Sequence, residues 1–168
     1  MRVAVTGTPG TGKTTAVQAA DTPLEVVHLT DLVREAGLAT GEDRERGSLV
    51  ADLDAIADRL AGREDLLVES HLAHHLDADR VVVLRCHPET LRERLLHRGE
   101  PAEKADENAE AEALDVVLSE AVANHGRGAV YEIDTTDRPP VAVADGVEAV
   151  VAGDRDPTAG TVDFTEYL

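Results

Sequence analysis

Five short apolar runs recur along the chain, at Val3–Thr6, Glu25–Leu29, Leu66–Glu69, Arg80–Cys86 and Ala129–Asp134. Each is short and continuous, the pattern of a strand buried on both faces. Between them apolar residues return every three or four positions, which predicts helices over Lys13–Ala20, Asp31–Ala36, Val50–Leu60, Pro88–His97, Asn108–Asn124 and Val141–Val151. Strands alternating with helices imply crossover connections, and these give a parallel sheet with helices on both faces. The expected fold is therefore α/β, in three layers around a five-stranded parallel sheet, with no internal repeat and a single domain. Two stretches break the rhythm. Gly37–Gly47 and Arg98–Asp106 are rich in glycine and charge and read as surface loops that can cover a cleft. The tail, Gly153–Leu168, falls outside the sheet, with Phe164 and Tyr167 as the side chains able to dock it.

Composition narrows the function classes. The 168 residues suffice for a core that needs no disulfide staples, and the single cysteine, Cys86, can form none within the chain. The first residues lack a secretory pattern and no apolar run approaches membrane-spanning length, so the expectation is a soluble cytoplasmic protein with no membrane partner. With 34 acidic against 16 basic residues the formal net charge is −18. Bulk charge of this sign argues against direct sequence-specific nucleic-acid binding and makes any anion site a local feature. Only Lys13 and Lys104 are lysines and 2% of residues are aromatic, a composition that fits a salt-rich cytoplasm, where salt screens repulsion between surface carboxylates. An acidic interaction surface is the alternative, but the acids are spread along the chain rather than gathered in one block.

Gly7-Thr8-Pro9-Gly10-Thr11-Gly12-Lys13-Thr14 matches the phosphate-binding P-loop pattern and sits directly after the first strand and before the first helix. Gly10 and Gly12 let the backbone curl so that its N–H groups face phosphate oxygens, and the helix adds its positive end. Lys13 can reach the β- and γ-phosphates of ATP, Thr14 is suited to Mg²⁺, and Thr15 to the α-phosphate side. A purely structural glycine turn is the alternative. The dinucleotide-binding reading fails because the third glycine of that fingerprint is replaced by Thr15. His-Arg-Asp, Asp-Phe-Gly and Asn-Lys-x-Asp are absent, which excludes the protein-kinase and Ras-like GTPase signatures.

Further candidates gather around this motif. Glu69 ends the third predicted strand, where an acid can hold Mg²⁺ through its water shell, or can simply face solvent. His71, two residues on, can contact a phosphate or position water. His74 and His75 extend the cluster. A metal site there lacks the His-Glu-x-x-His spacing, and the plainer reading is a solvated turn. Arg94 and Arg98 stand four apart on one helix face, a pair able to clamp a transferring phosphoryl group or to make ordinary surface ion pairs. Arg34, on the helix after the second strand, suits the phosphate of an acceptor nucleotide or is a plain surface arginine. Arg44 and Arg46 read as solvated, Asn108 as a cap and Glu112 as a helix-surface acid, although either of the last two can face the cleft.

Taken together, these residues resemble the adenylate kinase isoenzyme 6 family, nucleoside-monophosphate kinases also described as small-subunit ribosome assembly factors. The resemblance covers nearly the whole chain. It rests on Val5 through Thr15, on Asp31-Leu32-Val33-Arg34-Glu35, on Val83-Leu84-Arg85-Cys86 followed by Leu91-x-x-Arg94-Leu95-x-x-Arg98-Gly99, and on Lys104–Asn108 with Glu112-Ala113. It implies a P-loop NTPase fold of adenylate-kinase type, with Gly10, Gly12, Lys13, Thr14 and Thr15 on the ATP phosphates and Arg98 opening a short lid over about 98–106. The acceptor region would span about 29–47. Glu69-Ser70-His71 matches the family's Asp-x-His only in part. The activity implied is MgATP + AMP to two ADP, and the implied partner is a ribosomal protein of the small-subunit platform, with a role in rRNA processing. The alternative is an assembly ATPase whose hydrolysis switches that partner interface.

Overall fold

The computed structural model of the protein describes residues 1–43 and 48–168. Seven strands form among these residues: β1 (Arg2–Thr6), β2 (Glu25–His28), β3 (Ala39–Asp43), β4 (Ser48–Ala51), β5 (Leu66–Glu69), β6 (Arg80–Arg85) and β7 (Val130–Asp134). Five build one parallel sheet in the order β2-β5-β1-β6-β7, while β3 and β4 pair antiparallel as a separate ribbon. The helices are α1 (Lys13–Ala19), α2 (Leu29–Ala36), α3 (Leu53–Leu60), α4 (Pro88–His97), α5 (Ala102–Ala113), α6 (Val116–His125) and α7 (Pro140–Ala152).

Alternation along β1 explains the three layers. Val3 and Val5 join Ala16 and Val17 of α1 and Val143, Val147 and Val150 of α7 on one face of the sheet. Ala4 points the other way, into a second core with Val33 of α2, Ile56 and Leu60 of α3 and Leu118 and Ala121 of α6. A smaller core of Cys86, Leu91, Leu95 and Ala105 seats α4 against α5. Because every strand of the main sheet is parallel, Thr6, His28, Glu69, Arg85 and Asp134 all emerge at one edge. In open α/β sheets that edge is where ligands bind.

The five predicted strands are present and parallel in one sheet, with β1 at its centre. Three other expectations are corrected. Asn108–Asn124 is not one helix: α5 ends at Ala113 and α6 begins at Val116, with Asp115 between them in the left-handed region at φ +55°. Alanine-rich sequence carries no breaker there, and it is a tertiary ion pair to Arg85 that holds Asp115. The stretch Arg98–Asp106 is not an extended loop, since only a turn at residues 98–101 separates α4 from α5. Finally, α3 starts at Leu53, where Asp52 caps it by accepting from the Ala55 N–H at 3.0 Å, and residues 48–51 before it are strand rather than helix. The expected loop Gly37–Gly47 begins with Gly37 ending α2 and contributes β3, and residues 44–47, with Arg44 and Arg46, lie outside the described residues.

Candidate active site

The turn from β1 into α1 can exist only with glycine. A Cβ on Gly7 would stand 2.6 Å from the Leu84 carbonyl oxygen at φ +146°, and Gly12 precedes the helix at φ +90°. Thr11 holds the curl, its backbone N–H and its hydroxyl both donating to the Thr8 carbonyl at 3.2 and 2.9 Å. The α1 start then leaves the N–H groups of its first turn free for an anion. Lys13 lies 8% exposed beneath this cradle, its Nζ donating to the carbonyls of Gly7 at 2.9 Å and Thr8 at 3.1 Å. Burial, aided by Arg98, brings the ammonium pKa down to about 8 against the opposing pull of Glu69 and Glu112.

At the adjoining strand end Glu69 is buried, and register explains its neighbours. His28 on β2 stands opposite Glu69 on β5, and its Nδ1 approaches Glu69 Oε2 to 2.7 Å. The Thr14 hydroxyl donates to the same oxygen at 3.3 Å. A hydroxyl and a carboxylate side by side next to a phosphate cradle are the hard oxygen donors that Mg²⁺ takes while keeping water and phosphate ligands, so this donor set fits the ion. His71 lines the cleft beyond Glu69 with part of its surface open to solvent. Desolvation by the cleft walls, and then the Lys13 charge, push its pKa down to about 4, leaving the imidazole neutral near pH 7.

Two cavities meet at this cradle. One, of about 630 Å³, runs from Gly10 and Gly12 past Arg94, His97 and Arg98 to Arg138 and Val143. The other, of about 380 Å³, is lined by Lys13, Thr14, Thr30, Glu69, Ser70 and His71. Gly10, Gly12, Thr15 and Arg98 belong to both. A narrow slot of about 50 Å³ between Leu29, Val33, Ile56 and Leu72 opens beside Thr30 and His71. Arg98 is exposed at the end of α4, over the junction. Arg94 is more tightly held: its guanidinium donates to the carbonyls of Thr135 and Thr136 at 2.9 and 3.2 Å and to the Thr135 hydroxyl at 3.2 Å, and it reaches the Gly10 carbonyl at 3.5 Å. Those bonds tie α4 to the loop after β7 and to the P-loop. Arg34 stands exposed in the last turn of α2, and neither large cavity includes it.

Several residues that periodicity did not mark complete the site. Glu112 is buried, not a surface acid: its Oε2 accepts from the Thr8 hydroxyl at 2.6 Å, and its Oε1 accepts from Arg85 Nε at 2.8 Å and the Cys86 N–H at 3.1 Å. Arg85 is 1% exposed and also meets Glu132 at 2.6 Å and Asp115 at 2.5 Å. Burial opposes its charge, and the Glu112 and Asp115 carboxylates overcome that cost, so its pKa is raised. The tail closes over this cluster. Thr161 N–H donates to Glu132 Oε2 at 2.7 Å, and Phe164 is buried with its ring 5.4 Å from the Arg85 guanidinium and edge-on to His87. Asn108 is not a cap, since it lies within α5 with Nδ2 donating to the Lys104 carbonyl at 2.8 Å. His74 is not in a solvated turn, being buried with Nδ1 2.8 Å from the Thr6 hydroxyl oxygen. The sequence signal for the buried cluster was available in Arg85 and Glu132, charged residues inside otherwise apolar strands.

Similarity to known proteins agrees with this geometry. The family described as an AAA domain matches residues 3–115. A protein of Natronomonas pharaonis named "Putative adenylate kinase" is 70% identical over the full length of both chains. Proteins of the same name from Halobacterium salinarum and Methanothermobacter thermautotrophicus are 64% identical over all of this chain and 46% identical over 99% of it, covering 100% and 98% of their own lengths. Among solved structures, a shikimate kinase from Acinetobacter baumannii in complex with shikimate superimposes with a TM-score of 0.63 over 92% of this chain and 94% of that one. At 14% identity that likeness speaks to the fold alone.

Proposed function

The chain belongs to this adenylate-kinase-like family of archaeal proteins, and from that premise we propose that it transfers the γ-phosphoryl group of MgATP reversibly to a nucleoside monophosphate, AMP first among them. The observation that carries the reading is the pair of cavities sharing Gly10, Gly12, Thr15 and Arg98, with Lys13 lining the smaller one next to those shared residues. Two substrates can thus bring donor and acceptor phosphates together at one buried ammonium. The larger cavity suits the donor nucleoside, and the slot between Leu29, Val33 and Ile56 suits part of the acceptor base.

Phosphoryl transfer asks chiefly for positioning and charge neutralisation. Here the P-loop N–H groups grip the β-phosphate, and Lys13 exchanges its carbonyl partners for β- and γ-phosphate oxygens. Arg98, free to swing at the end of α4, follows the charge onto the equatorial oxygens. Arg94 acts as a positioning residue, fixing α4 against the loop after β7. Thr14 and Glu69 would hold Mg²⁺, which when bound neutralises charge on the phosphates. Neutral His71 accepts or donates one hydrogen bond to the acceptor phosphate or a nearby water, and Arg34 approaches the acceptor as the cleft closes. Excluding water separates transfer from hydrolysis.

The resemblance in the P-loop, the Arg94 to Gly99 segment and Glu112-Ala113 supports a finer assignment to the isoenzyme 6 branch. With it come a cytoplasmic location, a platform ribosomal protein of the small subunit as partner and a role in rRNA processing. A phosphorus NMR time course of MgATP with and without AMP, in molar KCl, tests the catalytic reading. Two ADP formed per ATP with no free phosphate is the expected result. Phosphate release indifferent to AMP would instead identify an ATP-driven assembly switch.

A further inference from the structure

A second cluster of ligating atoms lies outside the nucleotide cleft. The short 3-10 turn Ala73–His75 follows β5 and packs on α6. There His74 Nε2 lies 2.8 Å and His75 Nε2 3.8 Å from Glu120 Oε2, and one donor atom from each of the three residues falls within 4.8 Å of the others. A tetrahedral ion with bonds of about 2.0–2.1 Å holds its ligand atoms about 3.3–3.4 Å apart, between the two separations seen here. The imidazole rings tilt at 39° with centroids 4.1 Å apart, so both can turn a nitrogen toward one point.

The cluster is also braced as ligands need to be. His74 is buried, and its other ring nitrogen, Nδ1, is 2.8 Å from Thr6 Oγ1, which can accept its proton and leave the Nε2 lone pair for a metal. Two side chains of α6, Asn124 and His125, donate to the His74 carbonyl at 3.1 and 2.8 Å and fix the backbone. His75 and Glu120 keep 31% and 47% of their side-chain surface exposed, which gives an ion a way in and a solvent molecule room for the fourth position.

We propose that His74, His75 and Glu120 form a binding site for a divalent transition-metal ion, with Zn²⁺ the best fit, separate from the oxygen-donor set of Thr14 and Glu69. Two imidazoles and one carboxylate select a borderline ion over Mg²⁺ or Ca²⁺, which take oxygen. The ion would pin the turn carrying Ser70 and His71 to α6. Its effect would reach the P-loop through Thr6, the residue before Gly7.

Titration of the untagged, chelator-stripped protein with Co²⁺ alone in molar KCl tests this, because the salt suppresses loose binding to surface carboxylates. The expected result is one equivalent bound with the intense visible absorption of a four-coordinate ion, bleached by one equivalent of Zn²⁺, together with a Zn²⁺-dependent rise in melting temperature. His75→Ala and Glu120→Gln, both at exposed positions, should each weaken Co²⁺ binding by about tenfold or more. Absence of saturable binding, or binding of equal strength in wild type and both variants, would overturn the proposal.

Discussion

Lys13 is placed for two opposed demands. In the proposed reaction its charge meets the phosphates, yet burial draws its pKa to about 8. A lysine in the unfolded chain holds its proton up to about 10.5, so between these values the unfolded state binds the extra proton and folding stability rises with pH. Nucleotide binding runs the other way. Triphosphate oxygens restore the proton, so MgATP binding should be accompanied by proton uptake at pH 9 and by almost none at pH 7. Calorimetry in buffers of different ionisation enthalpy reads this directly, and an enthalpy independent of buffer at pH 9 would refute the shift. Lys13→Ala should lower phosphoryl transfer on the order of 10²–10³-fold, the scale of one transition-state donor; initial rates of ADP formation measure it. Lys13, Thr14 and Glu69 were legible in the sequence because a contiguous motif and a strand end carry them. His28 was not, and for Glu112 the cleft-facing position was one of two open readings: the first meets Glu69 across 41 residues and the second meets Thr8 across 104, through strand register and helix packing.

Among elements, the same division holds. The main-sheet strands repeat a local apolar signal, and α4 matches its predicted bounds because His87, Pro88 and Gly99 punctuate it. The break between α5 and α6 was invisible, since its cause is distant. Arg85 on β6 draws Glu112 from α5, Asp115 from the break and Glu132 from β7 into one buried group. The tail seals it through Thr161 and Phe164. A buried ion cluster is weak evidence of net stabilisation, but removing its single cation leaves carboxylates unpaired in a dry interior. Arg85→Leu should therefore cost about 3–5 kcal/mol, seen as an earlier urea midpoint in molar KCl. It should also loosen the P-loop, because Glu112 loses the partner that holds it under Thr8. A midpoint equal to wild type would show that Glu112 and Glu132 are satisfied by other means.

On the scale of the whole molecule, the dominant quantity is charge. A net −18 spread over 8,702 Å² of surface is about one charge per 480 Å², or about 22 Å between neighbours. In dilute buffer the screening length is about 30 Å and every excess carboxylate repels its neighbours; in molar salt it is about 3 Å and the repulsion vanishes. Local pairing does not remove the imbalance, since pairs such as Arg63 with Glu25 and Arg92 with Asp106 occupy scarce cations against 34 acids. The side chains of the two outer layers therefore press apart as salt is withdrawn, while the apolar cores described above supply a salt-independent attraction. Circular dichroism melts from 2 M KCl down to dilute buffer should show a falling transition temperature and, at the low end, loss of helical signal at room temperature. Re-addition of KCl should restore it, because no covalent change is involved. A transition temperature that does not move with salt would mean that the cores outweigh the repulsion at every ionic strength, and the acidic surface would then be better explained by a basic partner than by a salt-rich medium.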